Sequence, residues 1–154
     1  MSNFSHNPQT TAKIGGHPLH PMLIYFPIAA FVATLVTDLA FMKTDSEFWF
    51  FAGRWLLIGG VVTAALAALA GLIDFLGSAQ IRDISAAWVH AGGNILVVIL
   101  ELANLYSRFN GAANVVTGTQ TLLSVASVVL LLVTGWLGGE LVFRHRVGVR
   151  DASH

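Results

Sequence analysis

WLLIGGVVTAALAALAGLIDF, residues 55–75, decides the fold class: twenty-one residues with no ionisable group before Asp74, rich in Ala, Gly and Leu. Spanning the hydrocarbon core of a bilayer takes about 20 mostly apolar residues as a helix, and this run is long enough. It is also too continuous to be read as the alternating strands of a membrane barrel. Three further stretches have the same character: Pro21–Met42, whose one charge is Asp38, Ala87–Tyr106 and Thr121–Phe143. The spacing predicts an all-α integral membrane protein, a four-transmembrane-helix bundle with spans at 21–42, 55–75, 87–106 and 121–143.

The composition agrees. Hydrophobic residues make up 55% of the 154 and charged residues 10%, with a mean hydropathy of +0.72, whereas soluble domains carry about 25% charge. Eight basic and eight acidic residues cancel, leaving no basic footprint for nucleic acid. Without cysteine there are no disulfides, thiolate zinc sites, cysteine-held iron–sulfur clusters or covalent c-type haem. No hydrolase triad or phosphate-binding glycine loop is present, and Gly15-Gly16 and Gly138-Gly139 are isolated doublets.

Around the membrane domain, residues 21–146, the sequence leaves a polar N-terminal arm, 1–20, and a C-terminal tail, 147–154. The arm lacks the charged start and short apolar core of a signal peptide and is expected to be exposed. Prolines restrict the residues before them, so His17-Pro18-Leu19-His20 is expected to be a fixed, extended lead into helix one, with Pro21 suited to the first helical position. Pro27 should loosen or kink that helix. Small residues at Gly60, Ala64, Ala67 and Gly71, and at Ser124, Ser127, Gly135 and Gly139, let membrane helices pack closely. No internal repeat is convincing in the sequence alone.

Four spans put both chain ends on one side, here called the near rim. Lys13, Arg82, Arg144, Arg146 and Arg150 fall there, against Lys43, Arg54 and Arg108 opposite. The positive-inside rule then favours cytoplasmic termini in a bacterial inner (plasma) membrane, with the chain multi-pass.

Ionisable groups inside spans are costly and usually face the bundle interior. Traced through the topology, His17, His20, Asp74, His90, Asn94, Glu140 and His145 all fall at the near rim. On helix three, His90, Asn94, Glu101, Asn104 and Arg108 stand at offsets 0, 4, 11, 14 and 18, one stripe at coiled-coil spacing. Facing lipid, such a stripe would be prohibitively costly, so it should face inward, with Asp38 and Arg54 as partners on the far side.

The run GHPLHPMLIYFP, Gly16–Pro27, resembles the opening of a family of predicted prokaryotic membrane proteins catalogued as domain of unknown function twenty-two thirty-one. AGLIDF, Ala70–Phe75, and GWLGGELVFRH, Gly135–His145, look like later blocks of the same family, with His90 and Asn94 standing for its third; the likeness covers about residues 15–149. Where the family pattern often has a histidine, this chain has Tyr25. The resemblance implies a four-helix membrane fold. Fusion of some relatives to Rieske-type or cytochrome c-type domains suggests electron transfer.

Three functions compete on these residues. In a b-type cytochrome module, haem b would sit between two imidazoles of similar depth on different helices. His20 and His90 would be its ligands, His17 the alternative to His20. Gly92 and Gly93 would admit the macrocycle, Asn94 would support a ligand or propionate, and Arg144, with Arg146, would pair with propionates. A quinone or a redox protein would be the partner, with Asp74 or Glu140 handling protons. In a non-haem site, His17, His20, His90, Glu140 and Asp74 would hold a zinc, iron or copper ion. The third alternative is a cofactor-free subunit in the lipid membrane, and such small-residue faces also suit a homodimer.

Overall fold

The computed structural model describes residues 7–111 and 114–149. Arg150 and the outer parts of the arm and tail lie outside these. The elements are a two-stranded hairpin, β1 (Lys13–Ile14) and β2 (His17–Pro18), then α1 (Leu19–Leu23), α2 (Tyr25–Thr44), α3 (Glu47–Gly77), α4 (Ala79–Arg82), α5 (Ser85–Asn110) and α6 (Gly118–Phe143). Four spans are long and apolar enough to cross a membrane: α1 with α2, α3, α5 and α6.

The helices run past the apolar stretches at most of their ends. Polar residues at the interface continue the helical hydrogen bonding, so hydropathy marks the hydrocarbon-crossing part rather than the helix end. The turn between α2 and α3 is accordingly tight, with Asp45 in the left-handed region. At the α5–α6 turn, Thr117 and Gln120 form a reciprocal capping box at the start of α6.

The first span is broken where the prolines dictate. Pro27 has no N–H for the Leu23 carbonyl and crowds it; the helix is interrupted at Ile24 and resumes at Tyr25. The lead into it is extended only over His17–Pro18. Leu19 already begins α1, so His20 is helical. The arm is pinned as well as polar. Gly15 and Gly16, both at positive φ, make the two-residue turn that suits a β-hairpin. Ala12 is buried, the Leu19 N–H donates to its carbonyl, and the Gly148 N–H donates to Pro8, tying arm to tail.

α2 and α3 form one antiparallel hairpin and α5 and α6 a second. They pack through α2 on α6 and α3 on α5. Apolar residues cover the outside (Leu132, Trp136 and Phe143 are among the most exposed), while the inside holds Thr34, Asp38, Glu101, Asn104, Ser124 and Thr134. This inversion of the soluble pattern suits lipid as the surrounding solvent. Trp88, Tyr25 and Trp136 stand near one rim, Trp55 and Tyr106 near the other, where interfacial aromatics collect.

The burial pattern uncovers a repeat that the sequence hides. Buried Pro27, Phe31, Thr34 and Asp38 on α2 correspond to Val97, Glu101, Asn104 and Arg108 on α5, each pair 70 positions apart like His20 and His90. Gly53, Leu57, Gly60, Ala67 and Asp74 on α3 correspond with equal regularity to Gln120, Ser124, Ser127, Thr134 and Leu141 on α6. The bundle is two copies of one helical hairpin about a pseudo-twofold axis along its length.

Candidate functional site

At the near rim the two hairpins make the same local structure twice. In the first, His20 Nδ1 lies 2.8 Å from the Ala67 carbonyl oxygen of α3. In the second, His90 Nδ1 lies 2.8 Å from the Thr134 carbonyl oxygen of α6. A carbonyl only accepts, so both Nδ1 atoms donate to it, and Nε2 is the nitrogen each ring leaves for another partner. Four residues past each carbonyl a glycine underlies the ring. A Cβ on Gly71 would lie 2.8 Å from His20 Nδ1, and one on Gly138 would lie 3.1 Å from His90 Cε1. The two ring centroids are 6.1 Å apart with planes at 87°. Both imidazoles are partly buried and come from helices diagonal to one another across the bundle.

Asn94, one turn past His90, donates to the His90 carbonyl at 2.8 Å, with the same amide nitrogen 3.3 Å from His90 Nε2. Its amide thus faces the Nε2 of the second imidazole as a donor, and the first has no such neighbour on its own helix, where Ile24 holds the equivalent place.

Depth alone does not bring the other near-rim residues to this pair. Asp74 is buried, but its Oδ1 accepts the Thr11 and Ala12 backbone N–H groups at 2.6 and 2.7 Å and so anchors the arm. Glu140 pairs with Arg144 one turn on, at 2.6 Å, with the Arg144 side chain 76% exposed. This places Arg144 in water rather than over the imidazoles. His17 stands exposed in β2, and Tyr25 faces outward. Among the described residues, no three His, Asp or Glu converge on one point. The set His17, His20, His90, Glu140 and Asp74 is therefore one pair and three separate residues. Gly93 is also reassigned: its Cβ would lie 2.5 Å from Thr134 Cγ2, so it seats α5 on α6, while Gly92 faces outward.

A second polar cluster lies five turns away toward the far rim. Asp38 and Arg108, at the repeat-related positions, form an ion pair with both side chains fully buried, Nη2 donating to Oδ1 at 2.6 Å. Ser124 donates to the other Asp38 oxygen at 2.7 Å. Asn104 accepts from Arg108 Nε at 3.1 Å and donates to Ser124 and to Glu101. Arg54 does not join them. Its guanidinium carbon lies 5.0 to 5.8 Å from the ring centroids of Phe50, Phe51 and Phe109, a cation–π setting. Between the clusters lie buried Val97 and Ala64, which pack with Phe31 and Leu57 in one apolar core.

The carbonyls of Ala67 and Thr134 and the glycines beneath the rings were not legible as site components. The signal that could have found them is a histidine in each half followed, at nearly equal separation, by a helical glycine.

A family model described as "Predicted membrane protein (DUF2231)" matches residues 16–151. No curated protein and no solved structure matches. The chain belongs to that family.

Proposed function

Starting from that membership, we propose that the chain is a b-type cytochrome module in which His20 and His90 are the axial ligands of a non-covalently held haem b, passing single electrons at one membrane face to a quinone or a redox protein. The observation that carries this reading is the imidazole pair: two rings on opposite helices, each with Nδ1 fixed to a carbonyl, 6.1 Å between centroids. Rings at this separation are close enough that one metal centre, with metal–nitrogen bonds of about 2 Å, would be held by both His20 and His90. Ligating histidines characteristically give their other N–H to a carbonyl or carboxylate, which fixes tautomer and ring orientation.

The donor count favours haem over a bare ion. Haem brings four nitrogens and a reversible one-electron iron centre, asking the protein for two ligands; a closed zinc site asks for four. Among the described residues, two come together. Gly71 and Gly138 let both rings seat against helix backbone, and the Asn94 amide, 3.3 Å from His90 Nε2, would turn away for that nitrogen to ligate. Arg144 is left out because it pairs with Glu140 at the exposed surface.

The near rim is proposed to be cytoplasmic, in a bacterial inner membrane. Lys13, Arg82, Arg144 and Arg146 lie on that side, whereas on the other Arg108 is neutralised by Asp38 inside the bundle, leaving Lys43 and Arg54.

The test is a reduced-minus-oxidised spectrum of detergent-purified protein produced with ample haem. A six-coordinate low-spin signature at one haem per chain, lost in His20→Ala and in His90→Ala, is expected. A colourless protein with stoichiometric zinc, iron or copper, lost in the same variants, would move the site to a bare ion. A colourless, metal-free protein in which both variants alter only thermal stability would overturn the reading.

A further inference from the structure

The far half of the core contains a carboxyl group that packing does not require. Glu101 is wholly buried, and the repeat shows what else fills its place: in the first hairpin the equivalent residue is Phe31. Gly60 makes room for that ring, since a Cβ there would lie 2.5 Å from Phe31 Cε1. In the second hairpin the same two places hold Glu101 and Ser127. An apolar pair builds the slot in one half, and a carboxyl with a hydroxyl occupies it in the other.

That carboxyl is incompletely satisfied. Glu101 Oε2 receives the Asn104 amide at 3.3 Å. Glu101 Oε1 and Ser127 Oγ are buried without a well-formed partner, although the Ser127 side chain lies against the carboxyl. The charged groups around it come from three helices: Asp38 of α2, Arg54 of α3 and Arg108 of α5, while α6 contributes only Ser124 and Ser127. Arg108 is bound to Asp38 and Arg54 lies among phenylalanines. Arg108 keeps Nη1 buried without a partner but makes no ion pair with Glu101, so an ionised Glu101 would be a second carboxylate beside Asp38 with no ion pair of its own, which is disfavoured in the bundle core.

We propose that Glu101, with Ser127, is an intramembrane proton-binding site that exchanges with the solution at the far rim. One O–H bond forms, at Oε1, with a proton taken from far-side water; the neutral acid donates to Ser127 Oγ, and release returns the proton to the same side. Direction follows from the surroundings. Toward the imidazole pair, about 16 Å along α5 for eleven residues, the buried core is apolar, Val97 and Ala64, with Phe31 and Leu57 level with Glu101 and Ser124. Toward the far rim it is Asn104, Ser124, Asp38 and Arg108, joined by hydrogen bonds. The proposal does not rest on the haem reading.

The experiment uses the full chain in detergent, with no added cofactor. Infrared difference spectra of wild type against Glu101→Gln should contain the carbonyl stretch of a protonated, buried carboxylic acid at neutral pH, exchangeable in deuterated water. Ser127→Ala, which removes the acceptor, should shift that band to higher frequency. Dicyclohexylcarbodiimide, which reacts with protonated carboxyls in apolar surroundings, should label the Glu101 peptide. Labelling should fall about tenfold per pH unit once the group ionises. Absence of both band and label at neutral pH would overturn the proposal. So would labelling suppressed by sodium at fixed pH, which would make the slot a metal-cation site.

Discussion

Replacing Arg108 with leucine tests the far cluster most directly. The guanidinium gives Asp38 a 2.6 Å hydrogen bond in a setting where both side chains are fully buried. Without it, Asp38 keeps only the Ser124 hydroxyl as a close partner, and Asn104 loses its donor from Arg108 Nε. Breaking a buried pair from one side leaves an uncompensated charge and costs about 3–5 kcal/mol. For a chain of this length that lowers Tm by on the order of 10 °C. Replacing both partners, Asp38→Leu with Arg108→Leu, removes the unpaired charge, and most of the loss should return, because matched apolar substitutes for a buried pair are often neutral. The assay is thermal unfolding of the three variants and wild type in one detergent, completed as a double-mutant cycle. A loss below about 1 kcal/mol in Arg108→Leu would refute the reasoning, since the pair would then be acting as a solvated surface bridge. A double variant as unstable as the sum of the singles would refute it equally, by removing the coupling.

Two further outcomes follow from close approaches at the near rim. Gly71→Ala puts a methyl 2.8 Å from His20 Nδ1, whereas Gly138→Ala puts one 3.1 Å from the edge of His90; the first should perturb its imidazole more, seen as the larger change in that histidine's ring NMR signals. Asp74→Asn weakens two hydrogen bonds to the Thr11 and Ala12 N–H groups, each worth about 1.5–3 kcal/mol when the acceptor is charged. The expected result is faster proteolysis of the arm with the transmembrane core intact, and an unchanged cleavage rate would show that the arm is held by other contacts.

The four spans could be read because lipid imposes one requirement on every residue facing it, and uninterrupted hydropathy reports that requirement. Depth was legible for the same reason: a fixed rise per residue puts His20 and His90 level once the topology is known. Azimuth was not. Asp74, Glu140 and His17 share the right layer, yet the direction of each side chain depends on helix rotation, and that is set by packing of small residues such as Gly93 and Gly53. A Cβ on Gly53 would lie 2.6 Å from Thr37 Oγ1 and 3.0 Å from Arg108 Nη1, a constraint visible only once α2, α3 and α5 are assembled. The interruption at Ile24 is a contrasting case. Proline acts on its own backbone and on the carbonyl four residues earlier, so the local sequence was enough.

The repeat escaped the sequence because the two halves conserve position rather than chemistry. Phe31 answers to Glu101, Leu57 to Ser124 and Asp38 to Arg108; any comparison of residue types reads these as unrelated. Identical pairs do occur, but most are plain apolar residues such as Leu35 with Leu105 and Val61 with Val128; His20 with His90 and Gly71 with Gly138 are the ones that form the symmetric near-rim pair. Two like imidazoles brought to a common axis are what a duplicated hairpin provides without further adjustment, because each copy fixes its own ring with its own carbonyl. The far pole works by the opposite logic. Two like charges facing across a buried axis would repel, so the axis can hold an ion pair there only if the copies differ, as Asp38 and Arg108 do. Symmetry at one rim and its loss at the other therefore answer different physical demands, and the polar groups that the second hairpin alone carries, Glu101 and Ser127, lie where the requirement for likeness has already been lifted.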